Sequence, residues 1–225
     1  MKKILFIMAV CAVLTSCSPT IYYQIYQTKP VEENIAVNDN GVVFEDDNCV
    51  ISYNFWKEGG DFGFKIYNKN SENIYLHMDE CFFVKNGYAY DYYDFEAEPK
   101  VICVPAKTAK IISEFGIASN LYHDCDLYLN PGRKDRNYLS FSEENSPLTF
   151  GNIIAYSVGD SESLVRINHD FYISRVLNYP YKDITETVTL KECGKKVSGK
   201  HVVVKESGPD RFYNKYSVKS SAKVH

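Results

Sequence analysis

Apolar and polar residues alternate in short stretches along most of this chain. From Cys49 to Trp56, Ile51, Tyr53 and Phe55 fall on one side and Ser52 and Asn54 on the other. Phe62, Phe64 and Ile66 alternate with Gly63, Lys65 and Tyr67, and Ile74, Leu76 and Met78 restart the apolar face after the polar turn from Asn68 to Asn73. A two-residue period is that of a strand with one face buried. Further strands are predicted at Val42–Phe44, Val101–Val104, Lys110–Phe115, Tyr138–Phe141, Leu148–Val158, Val165–Asn168, Phe171–Leu177, Thr185–Leu190, His201–Glu206 and Phe212–Val218. Turn residues such as Gly59-Gly60, Pro105–Thr108 and Gly159–Ser161 separate them. Leu121–Leu129 fits either a strand or a short helical turn. No segment carries a long 3.6-residue apolar period. The pattern predicts an all-β, antiparallel β-sandwich, Ig-like or jelly-roll-like, with allowance for one short helix.

The sharpest local signal is Asn86-Gly87, two residues that tolerate the positive φ of a type I′ hairpin turn. A two-residue loop there sets Lys85 opposite Tyr88, Val84 opposite Ala89, Phe83 opposite Tyr90 and Phe82 opposite Asp91. Cys81, Phe83, Tyr90 and Tyr92 then share one face, and Phe82, Val84 and Ala89 the other. With both faces largely apolar, the pair is expected to be central and covered on both sides.

The N-terminus breaks the pattern. Lys2 and Lys3 precede an uninterrupted apolar run from Ile4 to Leu14. Eleven helical residues span about 16 Å, against roughly 30 Å of bilayer core, so the run is expected to be the core of a signal peptide. Leu14-Thr15-Ser16-Cys17 resembles the bacterial lipobox, which implies cleavage before Cys17 and diacylglycerol on its thiol. Ser18 is not an aspartate, and no acidic residue follows closely. By resemblance to known sorting rules this implies the outer membrane, with its periplasmic face favoured over the cell surface. The expected organisation is a signal peptide over 1–16, a lipidated N-terminus and tether over 17–40, one β-rich domain over 41–218 and a tail over 219–225. Within the tether Tyr22–Tyr26 is expected to form a short edge strand, and Lys29–Asn40 is expected to be loop.

Composition narrows the partners. The full chain of 225 residues has a net charge of −4, and losing Lys2 and Lys3 with the leader moves this to about −6. An acidic domain without a basic patch is a poor ligand for nucleic acid. The 19 tyrosines favour strands. After the leader and Cys17, five cysteines remain: Cys49, Cys81, Cys103, Cys125 and Cys193. An odd number leaves at least one thiol unbridged within the chain. Cys49, Cys81 and Cys103 lie in apolar runs and are expected to be buried small hydrophobes. Cys125 and Cys193 lie in polar surroundings and are the candidate disulfide pair.

Candidate chemistry is sparse. His123-Asp124-Cys125-Asp126 offers metal-ligand types, but a strand sets only two on one face and a site needs three or four. The expectation is no metal and no cofactor. Cys125 with His123, His169 or His77 would make a thiol nucleophile and base only through spatial contact. No G-x-S-x-G motif is present. Asp91, Asp94, Glu96 and Glu98 lie beside a tyrosine-rich strand, where paired carboxylates suit glycoside chemistry, but the simpler reading is a solvated acidic turn after a hairpin, and a single Trp weakens any carbohydrate reading. Trp56, Tyr88, Tyr90 and Tyr92 are the candidate ligand platform. Arg133-Lys134-Asp135-Arg136 is expected to be an exposed loop.

The stretch Cys81–Tyr93 resembles a group of uncharacterised Bacteroidetes lipoproteins. The likeness continues at Val101–Pro105 with Lys110–Glu114, at Asp124–Tyr128, at Ser146–Phe150 and at Asn178-Tyr179-Pro180. The short Asp94–Lys100 stretch leaves no room for the long low-complexity insert many of those proteins carry there. The resemblance implies a cell-envelope location and carries no activity. The resulting expectation is a non-enzymatic envelope lipoprotein serving as a structural or protein-interaction module. A glycan-binding accessory lipoprotein and a pilus-type subunit are the alternatives.

Overall fold

The computed structural model describes residues 20–39, 41–92, 100–112, 115–117, 138–189, 191–192, 195–196 and 201–218. The expected leader, Cys17, the 121–137 region with Cys125, Asp94, Glu96, Glu98 and Cys193 lie outside them.

The chain forms an all-β, antiparallel sandwich. Strands are numbered in chain order. Among the described residues the larger sheet has nine strands. Its main path runs β18 (Arg211–Val218), β1 (Thr20–Pro30), β13 (Val165–Pro180), β12 (Thr149–Val158), β6 (Ile74–His77), β9 (Val101–Val104). β7 (Phe82–Lys85) also pairs with β12 and carries β8 (Tyr88–Asp91), and β11 (Tyr138–Ser140) pairs with β13. The second sheet runs β10 (Ala109–Ile112), β5 (Phe64–Asn68), β4 (Cys49–Tyr53), β3 (Gly41–Glu45), β2 (Ile35–Asn38). Helix α1 (Tyr181–Ile184) is a single turn followed by β14 (Thr185–Val188), which pairs with β17 (His201–Val204).

The predicted alternation is what closes the sandwich. Ile51, Tyr53 and Phe55 are buried, as are Phe62, Phe64 and Ile66, so one face of the second sheet is largely apolar. It meets the larger sheet through aromatic contacts across the gap. Phe55 lies 5.2 Å from Phe171 and 5.6 Å from Phe150, and Phe62 lies 5.1 Å from Phe150. Edge-to-face rings at these spacings add to the area they bury. A smaller cluster on the other side of the larger sheet joins Tyr23, Ile25 and Ile184, with Trp56, Tyr179 and Tyr213 packed against it.

Two expectations need correction. The 17–40 tether is in large part a strand: β1 runs eleven residues, pairs with β13 on one side and β18 on the other, and is followed by β2. Polar residues masked it. Gln24 and Thr28 are buried within it, Thr28 donating to the Asp210 carbonyl at 2.8 Å. Likewise the predicted break between Asn168 and Phe171 does not exist. β13 is continuous over sixteen residues, and His169 in the polar run points inward.

The ladder along β12 holds one substitution of side chain for backbone. β7 pairs with Phe150–Ile153 and β6 with Tyr156–Val158. Between them the chain rises through the 3-10 turn Met78–Glu80. Ala155, fully buried, would lose its ladder partner there. The Cys81 thiol replaces it, accepting from the Ala155 N–H at 3.3 Å and donating to the Ala155 carbonyl at 3.7 Å. Cys81→Ala strips a buried N–H of its acceptor and is expected to lower stability by about 2 kcal/mol. A drop in the urea midpoint at unchanged slope is the readout. An unchanged midpoint would show that the thiol is a bystander.

Candidate functional site

The hairpin register agrees pair for pair with the reading from Asn86-Gly87, from Lys85↔Tyr88 to Phe82↔Asp91. Asn86 and Gly87 have φ of 49° and 79°, the turn conformation those residues permit at low cost. The expectation of a strand pair covered on both sides fails at β8. All four of its residues are exposed, with Tyr88 at 71% and Tyr90 at 47%. The reason is position: among the described residues β8 pairs only with β7. In a two-residue hairpin the residues flanking the turn bond each other, and bonding then alternates. Tyr88 and Tyr90 therefore turn their backbone groups to β7, while Ala89 and Asp91 turn theirs outward. The result is an edge with two outward N–H groups flanked by two exposed phenol rings.

Trp56, Tyr88, Tyr90 and Tyr92 do not form one platform. Tyr92 is 1% exposed and donates to the Asn152 side-chain oxygen at 2.7 Å. Trp56 is half-buried 4.9 Å from Tyr213 of β18. It lines a shallow groove of about 220 Å3 with Asp39, Asn54, Ser207 and Pro209. β18 and β8 stand at opposite edges of the larger sheet, five strand spacings or about 24 Å apart. Only Tyr88 and Tyr90 stay together on a surface.

The interior holds a polar chain that sequence reasoning missed. Tyr92 donates to Asn152 Oδ1, which sets the amide so that Nδ2 faces the Tyr53 hydroxyl at 3.4 Å. Tyr53, accepting from Asn152, donates to His169 Nδ1 at 2.6 Å. That assigns the neutral tautomer with hydrogen on Nε2, a buried atom without a partner. Phe44 packs 4.6 Å from the imidazole. Burial holds the His169 pKa down at about 4 and raises that of Tyr53 well above its usual value. The signal was parity. Tyr53 is in step with Ile51 and Phe55, Asn152 with Phe150 and Ile154, and His169 with Ile167 and Phe171. A polar residue in step with a buried apolar series points into the core.

The two fully buried thiols are equally inert. Cys49 and Cys81 are free and fully buried, and Cys103 is free and half-buried. Burial pushes the Cys49 pKa up to about 12 and that of Cys81 to about 11, so neither forms the thiolate a nucleophile needs near neutrality. His169 is sealed in the core and meets Tyr53, not a thiol. His77 Nε2 lies 3.0 Å from Ser157 Oγ, but Ser157 is buried and nearby Asp79 pairs with Lys100 at 2.7 Å. Lys100 draws the Asp79 pKa below its usual value. Among the described residues no group of three or more His, Cys, Asp or Glu side chains gathers to hold a metal. The 123–126 cluster, the Cys125 and Cys193 pair and the lipidation residue Cys17 lie outside the described residues.

Among the described residues, the open β8 edge with its tyrosines is the feature that brings predicted site residues together on the surface. No family model matches this chain, and neither a curated protein nor a solved structure does.

Proposed function

We propose that this chain is a cell-envelope lipoprotein, held by lipid on Cys17 at the periplasmic face of the outer membrane. Its β domain is a non-enzymatic protein-interaction module that accepts an extended segment of an envelope protein along β8. The anchor rests on the basic start, the apolar run and the Leu14–Cys17 box, together with the likeness to Bacteroidetes lipoproteins. No described helix is long and apolar enough to cross a membrane. The interaction role rests on one observation, the exposed β8 edge with outward backbone groups at Ala89 and Asp91. Strand addition draws affinity from such groups and specificity from side chains such as Tyr88 and Tyr90.

Two substitutions test the two halves separately. Cys17→Ala is expected to shift the protein from the membrane to the soluble fraction, since the acyl chains supply the membrane affinity. Retention on membranes would remove the lipid anchor. Ala89→Pro deletes an outward N–H and leaves the bonds to β7 intact, as proline on an edge strand permits. A photoreactive residue at Tyr88 should crosslink to an envelope protein in cells. Ala89→Pro should abolish that crosslink with the circular dichroism spectrum unchanged. A crosslink that survives the proline would sink strand addition.

A further inference from the structure

The start of β1 limits how far the domain can stand from its anchor. Thr20 is already in register with Val218. Only Ser18 and Pro19 separate it from Cys17, a reach of about 10 Å at full extension. From Tyr22 onward β1 is held between β13 and β18. This end of the sheet therefore cannot swing away as a domain on a long tether would.

The surface at this end differs from the opposite one. Ile21 is 45% exposed at the start of β1, and Tyr181 is 37% exposed at the start of α1, its ring 6.0 Å from Tyr23. Tyr22 stacks on Tyr216 at 5.4 Å. Lys182 is exposed beside Tyr181, and Lys215 holds its ammonium 5.6 Å from the Tyr23 ring. An aliphatic side chain and phenolic rings, with Lys182 and the Glu58-paired Lys215 beside them, match the polarity gradient of a lipid headgroup layer. The far end of β12 and β13 carries Ser71, Glu72, Asp160, Ser161, Glu162 and Ser163, all exposed.

We infer that the domain seats this end directly on the bilayer, with Ile21 and Tyr181 in the headgroup layer of the membrane that holds Cys17. The inference rests on the lipid anchor proposed above and adds an orientation to it. The far end then points away from the membrane, and the β8 edge, beside the middle of β13, stays clear of the lipid. β8 reaches β13 through β7 and β12, whose Phe150 is in register with Phe171.

Trp56 is the only tryptophan, so Trp56→Phe gives a silent background. Into it Ile21→Trp, Tyr181→Trp and Ser161→Trp are placed singly. Each acylated full-length chain is reconstituted in phosphatidylethanolamine–phosphatidylglycerol vesicles with brominated acyl chains. Trp at position 21 or 181 is expected to lose roughly half its emission, as a ring in the interface should, and Trp at 161 to lose none. Two reporters on different elements keep the test alive if one substitution disturbs folding. Vesicle-bound protein with positions 21 and 181 unquenched would overturn the seating and leave the anchor standing. Protein that floats free of the vesicles and carries no acyl mass on Cys17 would overturn the anchor, and the seating with it.

Discussion

Gly151→Val is expected to destabilise the domain by about 3 kcal/mol, the upper part of the range for forcing volume into a packed interior. Gly151 is buried on β12 opposite Asp170 of β13. A Cβ at this position would stand 2.6 Å from the His169 carbonyl oxygen and closer still to the Asp170 carboxylate. The carboxylate can swing aside, but the carbonyl belongs to a neighbouring strand whose own ladder fixes it. The clash therefore spreads into the β12–β13 pairing that carries Asn152 and His169. Urea unfolding of Gly151→Val, alone and with Asp170→Ala, separates the two obstacles. The double variant should recover little. Full recovery would place the obstruction in the side chain and leave the strands room to spare.

The second large effect is on acid stability. The folded imidazole of His169 stays neutral down to about pH 4, while in the unfolded chain it takes a proton near its ordinary 6.5. Between those values only the unfolded state gains the proton, so stability falls as pH drops from 6.5 towards 4 and levels off below. At about 1.4 kcal/mol per pH unit the loss is about 3 kcal/mol. His169→Phe removes this titration. It also leaves the Tyr53 hydroxyl without its acceptor, so the variant is expected to be less stable than the parent at pH 7. The deciding quantity is the stability difference between parent and variant. It should shrink as the pH falls to 4, because only the parent carries the penalty. A difference independent of pH would mean that His169 is protonated or solvated in the folded protein.

Most of the fold was legible because alternation is local. Ile51, Tyr53 and Phe55 show their face without reference to any other strand, and Asn86-Gly87 determines its own register. What failed was whatever depends on distant neighbours. β8 has two largely apolar faces in sequence, yet it lies at an edge because the topology brings no further described strand to it. β1 carries Gln24 and Thr28 in a stretch that reads as tether with a short strand, and only pairing with β13 and β18 makes them interior. The candidate platform failed for the same reason. Trp56 and Tyr88 are each placed by strands whose order in the sheet is not written near either residue. The chain from Tyr92 to His169 joins residues from four parts of the sequence, and parity indicates that three of its members face inward but not that they meet.

The position of β1 also sets the order of assembly. Its partners begin at Val165 and Arg211, so a chain delivered N-terminus first exposes its earliest strand long before either ladder can form. Pairings this distant make closure late and slow. Until Arg211–Val218 is delivered, β1 lacks its partner on that side. Under the lipid-anchored, exported state proposed above, strand order supplies the delay that threading through a translocation channel before folding requires.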